Sequence, residues 1–271
     1  MVGRHPTEPY EAFLGIYSPE GLLLERTHLG EIPPNRRRFF DVSAIAGNLV
    51  SGTDHLAVVN RVPSRLLAQA SSVEDAIELP EEPDYSYFRS LLEYSYPHGT
   101  NGSVIYETPP RLNVGASSNT LSFTCQIVLS ESVNSYVILV NHSKDPSYGK
   151  IASYRFGVYS LAGDQVALDQ VTVGPFGIRV LDMAQLIPDH LISSSVDPED
   201  HLAAFTFVGY SQDAALLAMV VNAAPELGAV AIEHTQSPQA YLLPMHSSEQ
   251  RTIKAAAQDA WQTILPGPEI G

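Results

Sequence analysis

A recurrence inside the chain constrains its fold more than any other feature. Gly15-Ile-Tyr-Ser-Pro-Glu-Gly21 returns as Gly157-Val-Tyr-Ser-Leu-Ala-Gly163. Each copy then runs through a proline turn, at Pro33 or Pro175, into Arg38-Phe-Phe-Asp41 or Arg179-Val-Leu-Asp182. Asp54-His-Leu-Ala57 recurs letter for letter as Asp200-His-Leu-Ala203, and Gly102-Ser-Val-Ile-Tyr-Glu107 recurs as Gly228-Ala-Val-Ala-Ile-Glu233. Blocks repeated in one order are the signature of a folding unit used twice, so a tandem duplication is expected. The boundaries that follow are a first repeat over 1–115, a second over 116–246, and a C-terminal segment over 247–271.

Hydrophobic residues alternate with period two along most of both copies, the period of half-buried strands. In the first copy strands are expected over Ala12 to Tyr17, Leu22 to His28, Arg37 to Val42 and Leu56 to Asn60. In the second they are expected over Leu121 to Leu129, Tyr136 to Val140, Ile151 to Tyr159, Val166 to Val173 and Ile178 to Leu181. Turn residues separate them, and Asn101-Gly102 is a strong hairpin signal because both residues tolerate positive φ. Asp41 and Asp182 each precede a short helix-compatible stretch and read as helix caps. The expected fold is all-β: two tandem antiparallel β-sandwich units plus a C-terminal α-helix. The order strand, Tyr-Ser-x-x-Gly, strand, proline turn and Arg-x-x-Asp resembles immunoglobulin-type sandwich modules of bacterial proteins. That resemblance implies architecture and no activity.

Composition narrows the partners. Thirty acidic against fifteen basic residues give a net charge of −15, which repels a phosphate backbone and argues against a nucleic-acid partner. No stretch has the roughly 18 uninterrupted apolar residues of a membrane span. The N-terminus lacks the apolar core of a secretory signal, so a cytoplasmic location is expected. The single cysteine, Cys125, excludes an intramolecular disulfide and a multi-cysteine zinc site; Leu121, Phe123, Cys125 and Ile127 read as one apolar strand face. No cofactor is implied by any motif.

Function is sought where the copies diverge. The first copy carries an acidic, proline-bounded insertion over 63–84, with Ser72-Val-Glu-Asp-Ala-Ile able to form a helical turn. An aromatic cluster follows, in which Tyr94, Tyr96 and Tyr106, with His98 in the turn between them, could line a small-molecule pocket between the modules. Over Ser247 to Leu265, Ile253, Trp261 and Ile264 lie at helical spacing behind a Ser247/Gln250 capping box, predicting an amphipathic helix that docks on its own chain or on a partner. His55 and His201, with Glu107 and Glu233, occupy matching repeat positions and are the candidates for a metal or acid-base site. Arg36-Arg-Arg38 is the one basic run. The leading expectation is a non-catalytic binding or assembly protein with a protein partner or self-association. The alternative is a small-molecule carrier or enzyme with the tyrosine-lined pocket.

Overall fold

A computed structural model describes residues 8–34, 36, 38–50, 54–72, 90–96, 98–99, 102–107, 120–142, 148–211, 214 and 216–234. Among them, antiparallel strands dominate and helices are short. No helix among the described residues is long and apolar enough to cross a membrane.

The first part opens with β1 (Tyr10–Tyr17) and β2 (Leu23–Ile32), joined by a tight turn. A helical turn, α1 (Val42–Ala46), precedes β3 (Leu56–Pro63), and the sheet order is β2-β1-β3. Central β1 is apolar on both faces, so the sheet needs cover on both sides. On one face Phe13 and Val62 pack with Leu66 and Leu67 of α2 (Ser64–Leu67); on the other Leu14 and Ile16 pack with Ala46 of α1. The hairpin expected from Asn101-Gly102 is present as β4 (Ser90–Ser95) and β5 (Gly102–Glu107), a two-stranded sheet of its own.

The second part contains β6 (Thr120–Leu129), β7 (Asn134–Asn141), β8 (Ala152–Ser160), β9 (Gln165–Val173) and β10 (Gly177–Asp182). Short helices α3 (Met183–Leu186) and α4 (Asp189–Ser194) lead to β11 (Ala203–Ser211), β12 (Leu216–Ala224) and β13 (Ala229–His234). Two four-stranded antiparallel sheets result, ordered β6-β11-β8-β9 and β10-β7-β12-β13. Alternate residues of both sheets enclose one buried cluster around Tyr154, Phe156 and Phe207, whose rings stack with centroids 5.4 to 6.3 Å apart. Each fully buried large side chain contributes roughly 2–3 kcal/mol of transfer free energy, which makes this cluster the main stabilising element. The far face of the β10-β7-β12-β13 sheet is apolar too: Val140, Met219 and Ile232 pack there with Leu56 of the first part, and β5 lies against β13. Leu56 and the β4–β5 hairpin thus bring the first part against that sheet and its β13 edge.

The two Tyr-Ser-x-x-Gly turns share their local geometry. Ser18 N–H donates to Leu22 O at 2.8 Å and Gly21 N–H to Ser18 O at 2.9 Å; Ser160 to Asp164 and Gly163 to Ser160 repeat both bonds at the same lengths. Gly21 and Gly163 share the left-handed φ such a turn requires, +93° and +92°. Register irregularities fall at Ile16/Tyr17 and at the matching Val158/Tyr159. Asp41 and Asp182 both cap, accepting from Ala44 N–H at 2.9 Å and from Ala184 N–H at 3.0 Å.

Elsewhere the expectations need correction. Of the strand expected over Arg37 to Val42, the described residues 38–41 are in no strand and Val42 begins α1. The matching β10 pairs with β7, and no described strand plays that role in the first part; a strand without a ladder partner leaves its backbone groups unpaired. Arg38 instead folds back, donating to Glu31 O at 3.0 Å and stacking over the Phe40 ring at 5.1 Å. The ladder between β6 and β11 is irregular, because Phe205 pairs with Ile127 but Phe207 with Thr124, so that Cys125 and Gln126 stand against the single residue Thr206. The identical Asp-His-Leu-Ala tetrapeptides enter their strands at different heights. Tyr17 faces Leu56, whereas the matching Tyr159 faces Thr206, four residues beyond Leu202. Helix α2 was not foreseen in the insertion, and residues 73–77 of the expected turn and the helix expected over 247–265 lie outside the described residues.

Candidate functional site

Polar and aromatic side chains converge where the two parts meet. The β1–β2 turn plugs into the β9–β10 turn, with Ile178 N–H donating to Pro19 O at 3.0 Å. A Cβ on Gly21 would run into the Pro175 carbonyl oxygen, and one on Gly177 would come within 2.8 Å of Pro19 O, so both glycines are what allow the turns to interlock. Phe176 between them has φ +58°, unusual for a bulky residue. Its ring is held from three sides: stacked on Tyr17 at 5.8 Å, and met edge-on by His142 at 5.5 Å and Tyr148 at 6.2 Å. Surrounding contacts of this kind can hold a residue in a sparsely populated conformation.

Beneath the ring lies Asn141, the last residue of β7 and fully buried. Its Nδ2 donates to Lys150 O, Val173 O and Gly174 O at 2.8 to 3.1 Å, and its Oδ1 accepts from Tyr148 Oη at 2.7 Å. One amide thus ties the chain before β8 to the end of β9, its two N–H groups shared among three carbonyls, of which Gly174 O also accepts from Gly177 N–H at 3.0 Å.

A second contact joins the parts at the β4–β5 turn. His98 Nε2 lies 3.1 Å from Pro225 O; a carbonyl only accepts, so Nε2 carries the proton. Tyr96 tilts against the His98 ring at 5.7 Å, and Gly99 meets Gly228 backbone to backbone with no room for a side chain on either.

The residues singled out from the sequence divide sharply. His98 and Tyr96 are brought together at this seam. Tyr94 of β4 pairs with Ser103 and Tyr106 of β5 pairs with Leu91 in the hairpin ladder. His201 is exposed in a turn with φ +60°, its N–H donating to Asp197 O at 2.9 Å while the Asp200 carboxylate accepts from Leu202 N–H at 2.9 Å. Asp-His there shapes a turn into a strand. His55 stands just before β3, Glu107 ends β5, and Glu233 is exposed on β13, in a different sheet from the strand that follows His201. Among the described residues no group of three or more His, Cys, Asp or Glu is placed to hold a metal. Ile253, Trp261 and Ile264 lie outside the described residues.

The junction residues Tyr17, Asn141, His142, Tyr148 and Phe176 were not foreseen. Gly174-Pro175 was legible as a turn, but nothing local marks which distant turn it receives. Chemically this is a joint: its polar atoms are spent on loop carbonyls, and its rings pack on one another.

No family model and no curated protein matches the chain. A solved structure of infectious bursal disease virus, Gt strain, aligns at 8% identity over 96% of this chain and 69% of that one, with a TM-score of 0.15. A score that low carries no argument about fold or role.

Proposed function

We propose that the chain is a non-catalytic binding or assembly protein built from a duplicated, immunoglobulin-like β unit. The observation that carries this is an exposed apolar run, Leu22-Leu23-Leu24, at 68, 37 and 42% exposure, where the β1–β2 turn enters edge strand β2. Contiguous exposed apolar surface on a sheet edge suits a protein partner or a second copy. The duplication is supported by the matched turns and caps. The immunoglobulin-like reading is supported by the pairings β6-β11-β8 and β7-β12-β13, which parallel the B-E-D and C-F-G pairings of that fold. Light scattering with a pull-down tests the proposal: Leu22→Ser combined with Leu24→Lys should abolish association. A strictly monomeric wild-type chain that captures nothing removes the basis.

A second reading, a small-molecule carrier or enzyme, draws on Tyr96 and His98 at the seam beneath the β4–β5 turn. Native mass spectrometry of the purified chain separates the two. A bound small molecule released by His98→Ala supports the carrier, and an empty spectrum counts against it.

A further inference from the structure

The β1–β2 and β8–β9 hairpins share a turn but not the residues that follow it. Their turn bonds have equal lengths, Gly21 and Gly163 have the same left-handed φ, and a register shift falls at matching positions. Counting on from those glycines, Leu22, Leu23 and Leu24 match Asp164, Gln165 and Val166. The β8–β9 hairpin thus builds the same geometry with an aspartate and a glutamine where β1–β2 has leucines, so the hairpin does not need leucines to form. All three leucines are exposed where the turn enters β2, an edge strand with no second neighbour among the described strands.

The two ends of that edge differ. Past the irregularity at Leu29, Arg38 lies along β2: its Nη1 donates to Glu31 O at 3.0 Å, and a Cβ on Gly30 would come within 2.9 Å of the same nitrogen. Bulges and charged side chains folded over an edge keep it from pairing with another chain. Between Leu24, the unpaired residue of the other irregularity, and Leu29, the ladder to β1 runs without a shift, from Glu25 opposite Ile16 to His28 opposite Phe13. The open stretch is therefore 25–28, entered through the three leucines. Charge selects what fits there. Exposed Glu20 and Glu25 flank the leucines, and among the described residues neither carboxylate is in an ion pair; Glu25 only accepts from Thr27 Oγ1 at 2.9 Å. The cations nearby are engaged or sheltered: His28 is on Glu11 at 2.8 Å, Arg38 is on Glu31 O and the Phe40 ring, and Arg26 is half-buried. A second copy would set these carboxylates, and two net charges of −15, against each other, whereas a basic chain meets them with opposite sign.

We propose that residues 25–28 of β2, together with Leu22, Leu23 and Leu24, receive an extended basic segment of another protein as an added strand. This rests on the binding reading above and gives the partner a chemistry. Main-chain bonds to the open edge supply the ladder, apolar side chains of the segment cover the leucines, and its lysines or arginines meet Glu20 and Glu25. Successive side chains of an added strand point to opposite faces, so a segment alternating basic and apolar residues presents its charges on one side and its apolar groups on the other.

The test titrates the full chain into a fluorescein-labelled, end-capped peptide alternating lysine and valine, followed by anisotropy at about 0.15 M salt, where exposed charges are screened beyond about 8 Å. Binding is expected, and the peptide with glutamate in place of lysine should bind at least about tenfold more weakly. The variant Leu22→Asp, Leu23→Gln, Leu24→Val carries the residues of the β8–β9 hairpin and should keep the far-ultraviolet strand signal. It gains a negative charge, which favours a lysine peptide, yet it should lose the peptide because the leucines are gone. Two more peptides, N-methylated at the lysines or at the valines, each lack the N–H groups of one edge; at least one should bind about tenfold more weakly than the parent, a loss that docking through side chains alone does not produce. Equal binding of the lysine and glutamate peptides, binding that survives in the triple variant, or undiminished binding of both methylated peptides would each overturn the proposal. No binding of the lysine peptide, with leucine-dependent association still seen by light scattering or pull-down, would overturn strand addition and leave the binding reading standing. A monomeric chain that captures nothing and binds no peptide removes both.

Discussion

At the scale of single residues, the two capping aspartates show how one local signal acquires different weight from its surroundings. Asp41 and Asp182 have nearly the same backbone, φ −80° and −82°, and each accepts from the second N–H or later of the following helix. Asp41 is exposed and does little else. Asp182 also accepts from Asn134 Nδ2 at 2.9 Å and from Gln185 Nε2 at 3.0 Å, tying α3 to the start of β7. Asp41→Ala should cost about 1 kcal/mol, the ordinary value of a cap. Asp182→Ala should cost about 2–3 kcal/mol, because it also strands a partly buried amide. Urea denaturation midpoints of the two variants measure the difference, and equal losses would mean the Asn134 bond contributes nothing. Caps of this sort were legible from the sequence, since the chemistry involves residues only a few positions apart.

Among elements, the paired β-hairpins offer a controlled comparison. Gly21 and Gly163 occupy the same turn position with the same φ, yet a Cβ on Gly163 meets nothing within 4 Å whereas one on Gly21 strikes the β9–β10 turn. Gly163→Ala should therefore cost only the left-handed penalty, about 1 kcal/mol. Gly21→Ala adds steric displacement of the docked turn and should cost about 3 kcal/mol or more. Thermal denaturation of both variants checks this; losses of equal size would show that the turn contact contributes little. The strands expected over Ala12 to Tyr17, Leu22 to His28, Tyr136 to Val140, Ile151 to Tyr159 and Val166 to Val173 correspond to β1, β2, β7, β8 and β9, because apolar patterning is a property carried by each segment alone. Arg37 to Val42 failed by the same logic in reverse. Its alternation resembles that of β10, but a strand requires a neighbour, and a neighbour is not written into the segment that needs it.

For the whole molecule, the interlocked turns, the His98 contact and the apolar layer around Val140, Met219 and Ile232 join the two parts at separate places. Parts joined this way should unfold together, because the apolar face shared by both would be exposed if either opened alone. Calorimetry should give one transition with equal calorimetric and van't Hoff enthalpies. Two resolved transitions would show that the parts behave as independent beads. Gly21→Ala should be the variant most able to separate them.

The amino-acid sequence by itself determined what depends on neighbours along the chain: strand periodicity, the Ser-x-x-Gly turns, the aspartate caps and the Asn-Gly hairpin. Tertiary structure alone decided that Ile178 N–H would donate to Pro19 O and that the Asn141 amide would donate to carbonyls of Lys150, Val173 and Gly174. The physical reason is range. Local preferences are set by steric and hydrogen-bonding choices within a few residues. The joint is set by which apolar faces must leave water together, and that choice belongs to the chain as a whole.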